Sequence, residues 1–234
     1  MEPRRIIRRG VEESTMICKN KYPISMEVTG RFAMFADPSS GSNATSYPAP
    51  PKCAAKGIIE QVLFIPFVKI VPTKVEICNP LRTVTASTNY NGHLRKSSLI
   101  KHGNPCQIRE VCLFDVCYKI HGYVVNIDPA PGSQSITKKA MQYELKHINH
   151  AHSFVAQFER RLRRGRFYRQ PHLGRSEFLC EYFGPLRDET TPDKTINLKI
   201  PAMLVSCFDR AVHGSKVEPT FAPAEIKEGV LIYA

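Results

Sequence analysis

The sequence predicts an α+β fold, in which a largely antiparallel sheet carries helices on one face. Ile24, Met26 and Val28 alternate with polar residues, which is the period of a half-buried strand. The clearest helical pattern has apolar residues three and four positions apart, at Ile148, Ala151, Val155, Phe158 and Leu162. Strands and helices follow one another in a mixed order with few parallel crossovers, which is typical of this class.

The remaining elements are predicted from the same two patterns, the alternation of a strand and the three-to-four-residue spacing of a helix. In chain order they are a loop over 37–51, a helix over 54–62, a strand at 74–77, a polar excursion over 82–106, strand structure over 111–127 and strands over 198–208 and 229–233. Gly165 lies where a helix C-cap is expected. The ferredoxin-like β-α-β-β-α-β unit is the most common arrangement of this kind. In RNA-recognition modules, its free sheet face or the surrounding loops bind RNA.

Composition favours a polyanionic partner. The chain has 234 residues, with 33 lysines and arginines against 21 acidic residues and a formal net charge of +12. Apolar runs are too short for a membrane span, and the basic N-terminus lacks the apolar stretch of a signal peptide, so we expect a cytoplasmic protein without membrane partners. The 8 cysteines include no Cys-x-x-Cys pair, and glycine-rich nucleotide loops are absent. We therefore expect no metal and no cofactor.

The strongest functional signal is an arginine-rich segment over 158–175. Its basic residues are Arg160, Arg161, Arg163, Arg164, Arg166, Arg169 and Arg175, interleaved with Phe167, Tyr168 and His172. Guanidinium groups pair with phosphates in a fork geometry, and aromatic rings stack on bases. On the predicted helix, Arg160, Arg163 and Arg164 point away from the apolar stripe, so they form a basic ridge. The alternative is a solvated helix face with an arginine bias.

Two further basic groups are candidates for RNA binding. Lys52 and Lys56 lie one turn apart at the start of the first helix, where backbone amides also attract anions. Arg82, Arg95 and Lys96 fall in the long polar excursion, which could clamp a nucleic-acid backbone. Ordinary solubility lysines remain an equal explanation for the first pair.

Histidines at positions 147, 150, 152 and 172 raise the question of acid–base catalysis or metal binding. No His-Glu-x-x-His pattern occurs, and His150 and His152 point to nearly opposite sides of a helix. We interpret them as polar helix positions, some of them near RNA. Metal-independent RNA cleavage through His152 stays open as an alternative.

Several motifs occur together in a fixed order. They are Gly30 to Phe35, Ser46-Tyr47 ahead of Gly57, Asn79-Pro80 with Asn89 downstream, and Arg160-Arg161 followed by Gly165, Tyr168, Pro171, Leu173-Gly174 and Glu177-Phe178. From Tyr22 onward the chain thereby resembles the fifth Cas protein family of the RAMP superfamily, in particular its type I-C branch. Tyr90 and Ser176 depart from the family's usual Glu and Arg.

Residues 1–21 are basic and lack sustained periodicity, so we expect an arm that orders on contact with a partner. The resemblance implies a ferredoxin-like RRM domain over 22–182 with a thumb inserted at about 83–106, and a β-rich part over 183–234. It implies a CRISPR effector subunit that caps the five-prime handle of the crRNA. Its neighbours would be the repeated backbone subunit, the large subunit and target DNA near the PAM. Arg31 and Asn89 join the candidate RNA-binding residues through the same resemblance.

Type I-C members also cut precursor crRNA, using a Tyr after the first helix and a Lys-His pair before the Phe of the second. Carried onto this chain, those positions hold Leu63, Ser153 and Phe154, none of which can accept a proton or carry a positive charge. We therefore expect a non-catalytic subunit of a type I-C-like or type IV system. The alternatives are a metal-independent endoribonuclease that uses His152 and a basic nucleic-acid-binding protein unrelated to CRISPR.

Overall fold

The structure is a computed structural model that describes residues 21–41, 43–65, 68–89, 97–98, 107–126, 150–206 and 219–233. The strands are β1 (Tyr22–Ala33), β2 (Val68–Ile77), β3 (Arg82–Asn89), β4 (Gln107–Asn126), β5 (Tyr182–Gly184), β6 (Leu198–Ser206), β7 (Thr220–Lys227) and β8 (Val230–Ile232). The helices are α1 (Lys52–Val62), α2 (His150–Arg163) and a short 3-10 turn, Pro38–Ser40.

The described strands form one sheet in the order β5-β1-β4-β2-β8-β7-β6, and β3 pairs with the first half of β4. Every named pair of strands is antiparallel. The predicted mixed fold, with a mostly antiparallel sheet and few helices, is confirmed.

The hydrophobic core lies between one face of this sheet and the two helices. Met26 and Val28 on β1 are fully buried together with Phe154 and Phe158 on α2. The last two rings stack with their centroids 5.8 Å apart. Phe154 therefore takes the core position that the sequence pattern gave to Val155, which is only half-buried. A phenyl ring removes more apolar surface from water than a valine, so this register of the helix is favoured.

The predicted polar excursion over 82–106 is wrong at its start, because Arg82–Asn89 is strand β3. It pairs with β4 from Arg82 opposite Phe114 to Asn89 opposite Gln107. Thr83, Val84 and Thr85 are β-branched and therefore favour extended backbone. Most side chains described along β3 are exposed, so the strand lacks the apolar alternation by which the others were predicted.

The sheet face opposite the helices is not free around Glu27. Residues 185–190, here called the strap, cross it. Glu27 is fully buried, and its carboxylate accepts hydrogen bonds from the Arg187 backbone N–H at 2.8 Å, the Arg187 Nη2 at 2.6 Å and the Thr190 hydroxyl at 3.0 Å. Lys119 Nζ, on the neighbouring strand, donates to the carbonyls of Arg187 and Thr190. The strap therefore occupies part of the surface that the sequence left open for RNA.

Candidate RNA-binding surface

The basic ridge, Arg160, Arg163 and Arg164, lies at the C-terminal end of α2. All three side chains are exposed, and together with Ala156 they line a shallow depression. Arg163 pairs with Glu159 across 3.4 Å, and this is the one ion pair that a ridge arginine makes with a described residue. An exposed pair of this kind is weak and exchanges readily for a phosphate. The ridge therefore presents positive charge to solvent, as the sequence predicted.

Arg161 faces the other way. It is half-buried, and its Nη1 donates to the carbonyl of Val62 at 2.9 Å. The last carbonyls of a helix lack partners within the helix, so a guanidinium there both satisfies an acceptor and complements the helix dipole. Arg161 thus links the end of α2 to the end of α1, and part of its guanidinium hydrogen-bonding capacity is used in this contact.

The segment after α2 returns to the end of α1 and completes that cap. Gly165 has φ +60°, the left-handed conformation that ends many helices at glycine. The Tyr168 N–H then donates to the carbonyls of Gln61 at 2.9 Å and Val62 at 3.0 Å, and the Arg169 N–H donates to Gln61 at 2.8 Å. Arg166 and Arg169 are thereby held beside the ridge, with exposed side chains that make no ion pair to a described residue.

Large exposed aromatic rings lie among these arginines. Tyr168 is 68% exposed and Phe64, two residues beyond the end of α1, is 50% exposed; their ring centroids are 6.2 Å apart. Phe167 packs edge-on against Phe183 of β5 at 5.9 Å. The sequence pointed to Tyr168 but missed Phe64, which lies about a hundred residues away. The two rings come together only in the folded chain, where the end of α1 lies beside the arginine-rich segment.

Arg175 is paired with acidic groups instead of facing solvent. It forms an ion pair with the buried carboxylate of Glu110 and a second one with Glu177 at 3.7 Å. Its neighbour Gly174 has φ +88°, and a Cβ at that position would collide with the carbonyl oxygen of Met34. This arginine braces the loop after α2 against β4, so its charge is largely compensated.

The other predicted basic residues are spread over the molecule. Arg31 on β1 is exposed, with its guanidinium 5.7 Å from the Phe32 ring centroid. Arg82 lies 3.6 Å from the Asp115 carboxylate. Lys56 pairs with Glu60 at 3.7 Å, where burial raises the pKa of Glu60 and the lysine partly opposes the shift.

For the remaining predicted residues the structure describes no contact with the arginine-rich segment. Lys52 is half-buried at the first position of α1. Asn89 ends β3, and only its backbone is described. Arg95, Lys96 and His147 lie outside the described residues. Their part in RNA binding remains a prediction.

The positions carried over for RNA cleavage hold structural side chains. Leu63 and Phe154 are core residues, and Ser153 Oγ accepts a hydrogen bond from Gln157 at 3.0 Å. His152 is exposed, with the Tyr22 ring edge-on at 5.7 Å between centroids. His172 Nε2 lies 3.1 Å from Gln61 Nε2, so that histidine helps to hold the two segments together.

In the described ranges no group of three or more His, Cys, Asp or Glu side chains is placed to hold a metal ion. Neither described helix has the length and apolar character that a membrane crossing requires.

Known proteins with similar sequences share one description. The chain is 26% identical over 193 residues to a protein described as CRISPR pre-crRNA endoribonuclease Cas5d of Thermus thermophilus, a match that covers 80% of this chain and 73% of that protein. It is 24% identical over 233 residues to a protein of the same description from Mannheimia succiniciproducens, covering 89% and 93%. No protein-family model matches the chain.

The fold agrees with these relatives. A crystal structure of a CRISPR-associated protein superimposes with a TM-score of 0.64 at 19% identity, over 92% of this chain and 93% of that one. Both sequence relatives have the same description, and the fold is shared over nearly the whole chain. These findings agree with the resemblance that the order of motifs indicated. The chain is thus similar in sequence to Cas5d proteins and shares the fold of a CRISPR-associated protein.

Proposed function

We propose that this chain binds CRISPR RNA as a structural subunit of an effector complex and caps the five-prime handle. The observation that carries the proposal is the cluster of exposed, mostly unpaired arginines at the end of α2, beside exposed aromatic rings. Both relatives are described as acting on pre-crRNA, so RNA is the polyanion that this surface fits best.

The topology supports a finer description of the fold. The strands β1, β2, β4 and β5, with α1 after β1 and α2 after β4, have the order β5-β1-β4-β2 and are antiparallel throughout. This is the strand order of a ferredoxin-like unit with one insertion. The antiparallel pairing of β3 with the first half of β4 supports the proposed thumb, and the extension of the sheet by β6 to β8 supports the proposed C-terminal part.

We also propose protein and DNA neighbours for this subunit in the cytoplasm: the backbone subunit, the large subunit and target DNA near the PAM. The C-terminal strands supply a surface for protein contact, because Leu198, Phe221 and Ile232 are large apolar residues left exposed there. Lys194, Lys199 and Lys227 line a depression together with Leu198, so this region is suited to a mixed polar and apolar interface.

A gel assay with precursor crRNA in EDTA tests the proposed function. The purified chain is incubated with labelled RNA that carries the repeat of its own locus, and bound and cleaved RNA are resolved side by side. We expect a stable complex and RNA of unchanged length, since the carried-over cleavage positions are core or helix residues. Equal affinity for an unrelated RNA at every salt concentration would identify a general nucleic-acid-binding protein instead.

Endoribonuclease activity is the second candidate function. The relatives' description favours it, and so does one end of the sheet, where the exposed His152 meets Tyr22. Lys21 directly precedes Tyr22 in the chain, and its Nζ lies 4.8 Å from the Tyr123 ring centroid. A histidine that removes the proton of a ribose 2′-hydroxyl, with a lysine near the attacked phosphate, suffices for metal-independent cleavage to a cyclic phosphate.

If this second function holds, His152→Ala lowers the rate of cleavage in EDTA at least about 100-fold, as loss of an acid–base group does. Binding affinity for the same RNA stays within about twofold, because His152 lies away from the ridge. Glu225→Gln, an exposed change on β7, serves as the control and should keep full activity. Cleavage that survives His152→Ala would exclude this site.

A further inference from the structure

Phe64 and Tyr168 form a pair of rings whose exposure is unusual for such large side chains. Their planes are 31° apart, and half or more of each residue is exposed. Rings of this size normally bury 150–250 Å² each, and leaving them in water forfeits much of that gain. An exposed ring pair set among arginines is the composition of surfaces that stack nucleobases.

The pair is held by backbone contacts and not by packing of its own. Tyr168 is fixed by its N–H bonds to Gln61 and Val62, and Phe64 follows Leu63, which is buried in the core. The backbone at both ring positions is therefore fixed before any ligand arrives, and the two rings stay side by side. This lowers the entropic cost of binding, because the chain segments need not be ordered by the ligand.

The charges around the rings select a planar ligand with an anionic backbone. Arg166 and Arg169 flank Tyr168 in sequence with exposed side chains, and Arg161 shares the Val62 carbonyl with the Tyr168 amide. Arg164, the last residue of the ridge, precedes Tyr168 by four positions in the chain. A phosphate can contact a guanidinium while the base attached to it lies on a ring.

The side chains of Gln61 and His172 are occupied by structural contacts with each other. The amide of Gln61 accepts from the His172 N–H at 2.9 Å and lies 3.1 Å from the His172 ring nitrogen. Neither group is available to read the hydrogen-bonding edge of a base. Stacking without edge contacts tolerates all four bases.

We infer that Phe64 and Tyr168 are a stacking site for one unpaired nucleotide of bound RNA, with little base preference. The inference rests on the proposed RNA-binding function and deepens it. In an A-form duplex the bases are stacked on one another and only their edges are accessible, whereas unpaired bases can be splayed onto aromatic side chains. The site therefore selects single-stranded RNA over duplex.

Binding of labelled single-stranded RNA and of the corresponding blunt duplex, measured by fluorescence anisotropy at several salt concentrations, tests the inference. Tyr168→Leu is expected to weaken single-strand binding about 10-fold, within the range for loss of one stacked base. Duplex affinity and the salt dependence should be unchanged, since no phosphate contact is lost. Tyr168→Phe keeps the ring and should bind like the wild type, as should Phe221→Leu on the distant C-terminal strands.

Photocrosslinking of the wild-type chain to RNA that contains 5-bromouracil gives a second readout, independent of any variant's folding. A crosslink to Phe64 or Tyr168 is expected. Unchanged binding by Tyr168→Leu, an equal loss of duplex binding, or crosslinks confined to other segments would each overturn the stacking site while leaving the proposed function intact. A wild-type chain that binds no RNA overturns the proposed function, and the stacking site with it.

Discussion

Replacing Arg160, Arg163 and Arg164 together by glutamate is expected to weaken binding to crRNA by about 100-fold or more at moderate salt. Each exposed contact between a guanidinium and a phosphate contributes about 1 kcal/mol at a separation of about 4 Å in water. Three lost contacts amount to about 3 kcal/mol, and 1.4 kcal/mol corresponds to a factor of ten. Reversed charges also repel the RNA, so this figure is a lower bound.

The salt dependence separates lost phosphate contacts from a general loss of structure. On single-stranded RNA the slope of log K against log salt changes by about 0.7 for each phosphate contact, so the ridge variant should lose about 2 in slope. The variant should unfold at nearly the wild-type denaturant concentration, because all three side chains are exposed. Unfolding of the variant would instead mean that the ridge is structural.

A matched control uses three exposed lysines on the C-terminal strands and the loop before them. Lys194, Lys199 and Lys227 are replaced by glutamate, which changes the net charge by the same amount at a distance from the ridge. If net charge alone attracts RNA, the two triple variants weaken binding equally. A much smaller loss in the control localises the RNA to the end of α2.

The elements predicted correctly from the sequence are those in which the spacing of apolar residues matches the spacing of buried residues. Strand β1 and helix α2 each bury one face in the core. Their buried residues therefore recur at a regular spacing that can be recognised in the sequence. Strand β3 was missed because most of its described side chains face solvent, so its sequence has no apolar alternation. Its extended backbone is held by the pairing with β4. β5 has only three residues and was missed as well.

The candidate site was predictable only where its residues lie close to one another in the sequence. The ridge and Tyr168 come from one arginine-rich segment. Phe64 was not predictable, because its place depends on hydrogen bonds between Gln61 and the segment that holds Tyr168. The buried contacts of Arg161 and Arg175 were equally hidden, since an arginine that caps a helix and one that faces solvent look alike in sequence.

The buried carboxylate of Glu27 gives the second large expected effect, on stability. Burial alone would raise the pKa of Glu27, but hydrogen bonds from Arg187 and Thr190 outweigh it and hold the pKa below its ordinary value of 4.5. A carboxylate with a lowered pKa stabilises the fold above its unfolded-state pKa. That contribution is lost as the pH falls through the folded-state pKa.

Glu27→Ala is therefore expected to lower the free energy of unfolding at pH 7 by about 3 kcal/mol. Removing one partner of a buried ion pair typically costs about 3–5 kcal/mol, and the Arg187 side chain, 34% exposed, recovers part of its hydration. Urea unfolding monitored by circular dichroism measures the difference. Glu225→Ala, which breaks the exposed pair with Lys227, should cost at most about 1 kcal/mol.

The pH dependence identifies the cause of that loss. The wild-type carboxylate becomes protonated as the pH falls through its lowered pKa, so the difference in unfolding free energy between the wild type and Glu27→Gln should narrow as the pH falls from 7 through that pKa. A gap that stays constant over this range would show that shape and packing, and not charge, hold the strap. If Glu27→Gln also increased RNA binding, the strap would be covering a sheet face that can still bind nucleic acid, since its release uncovers Lys119.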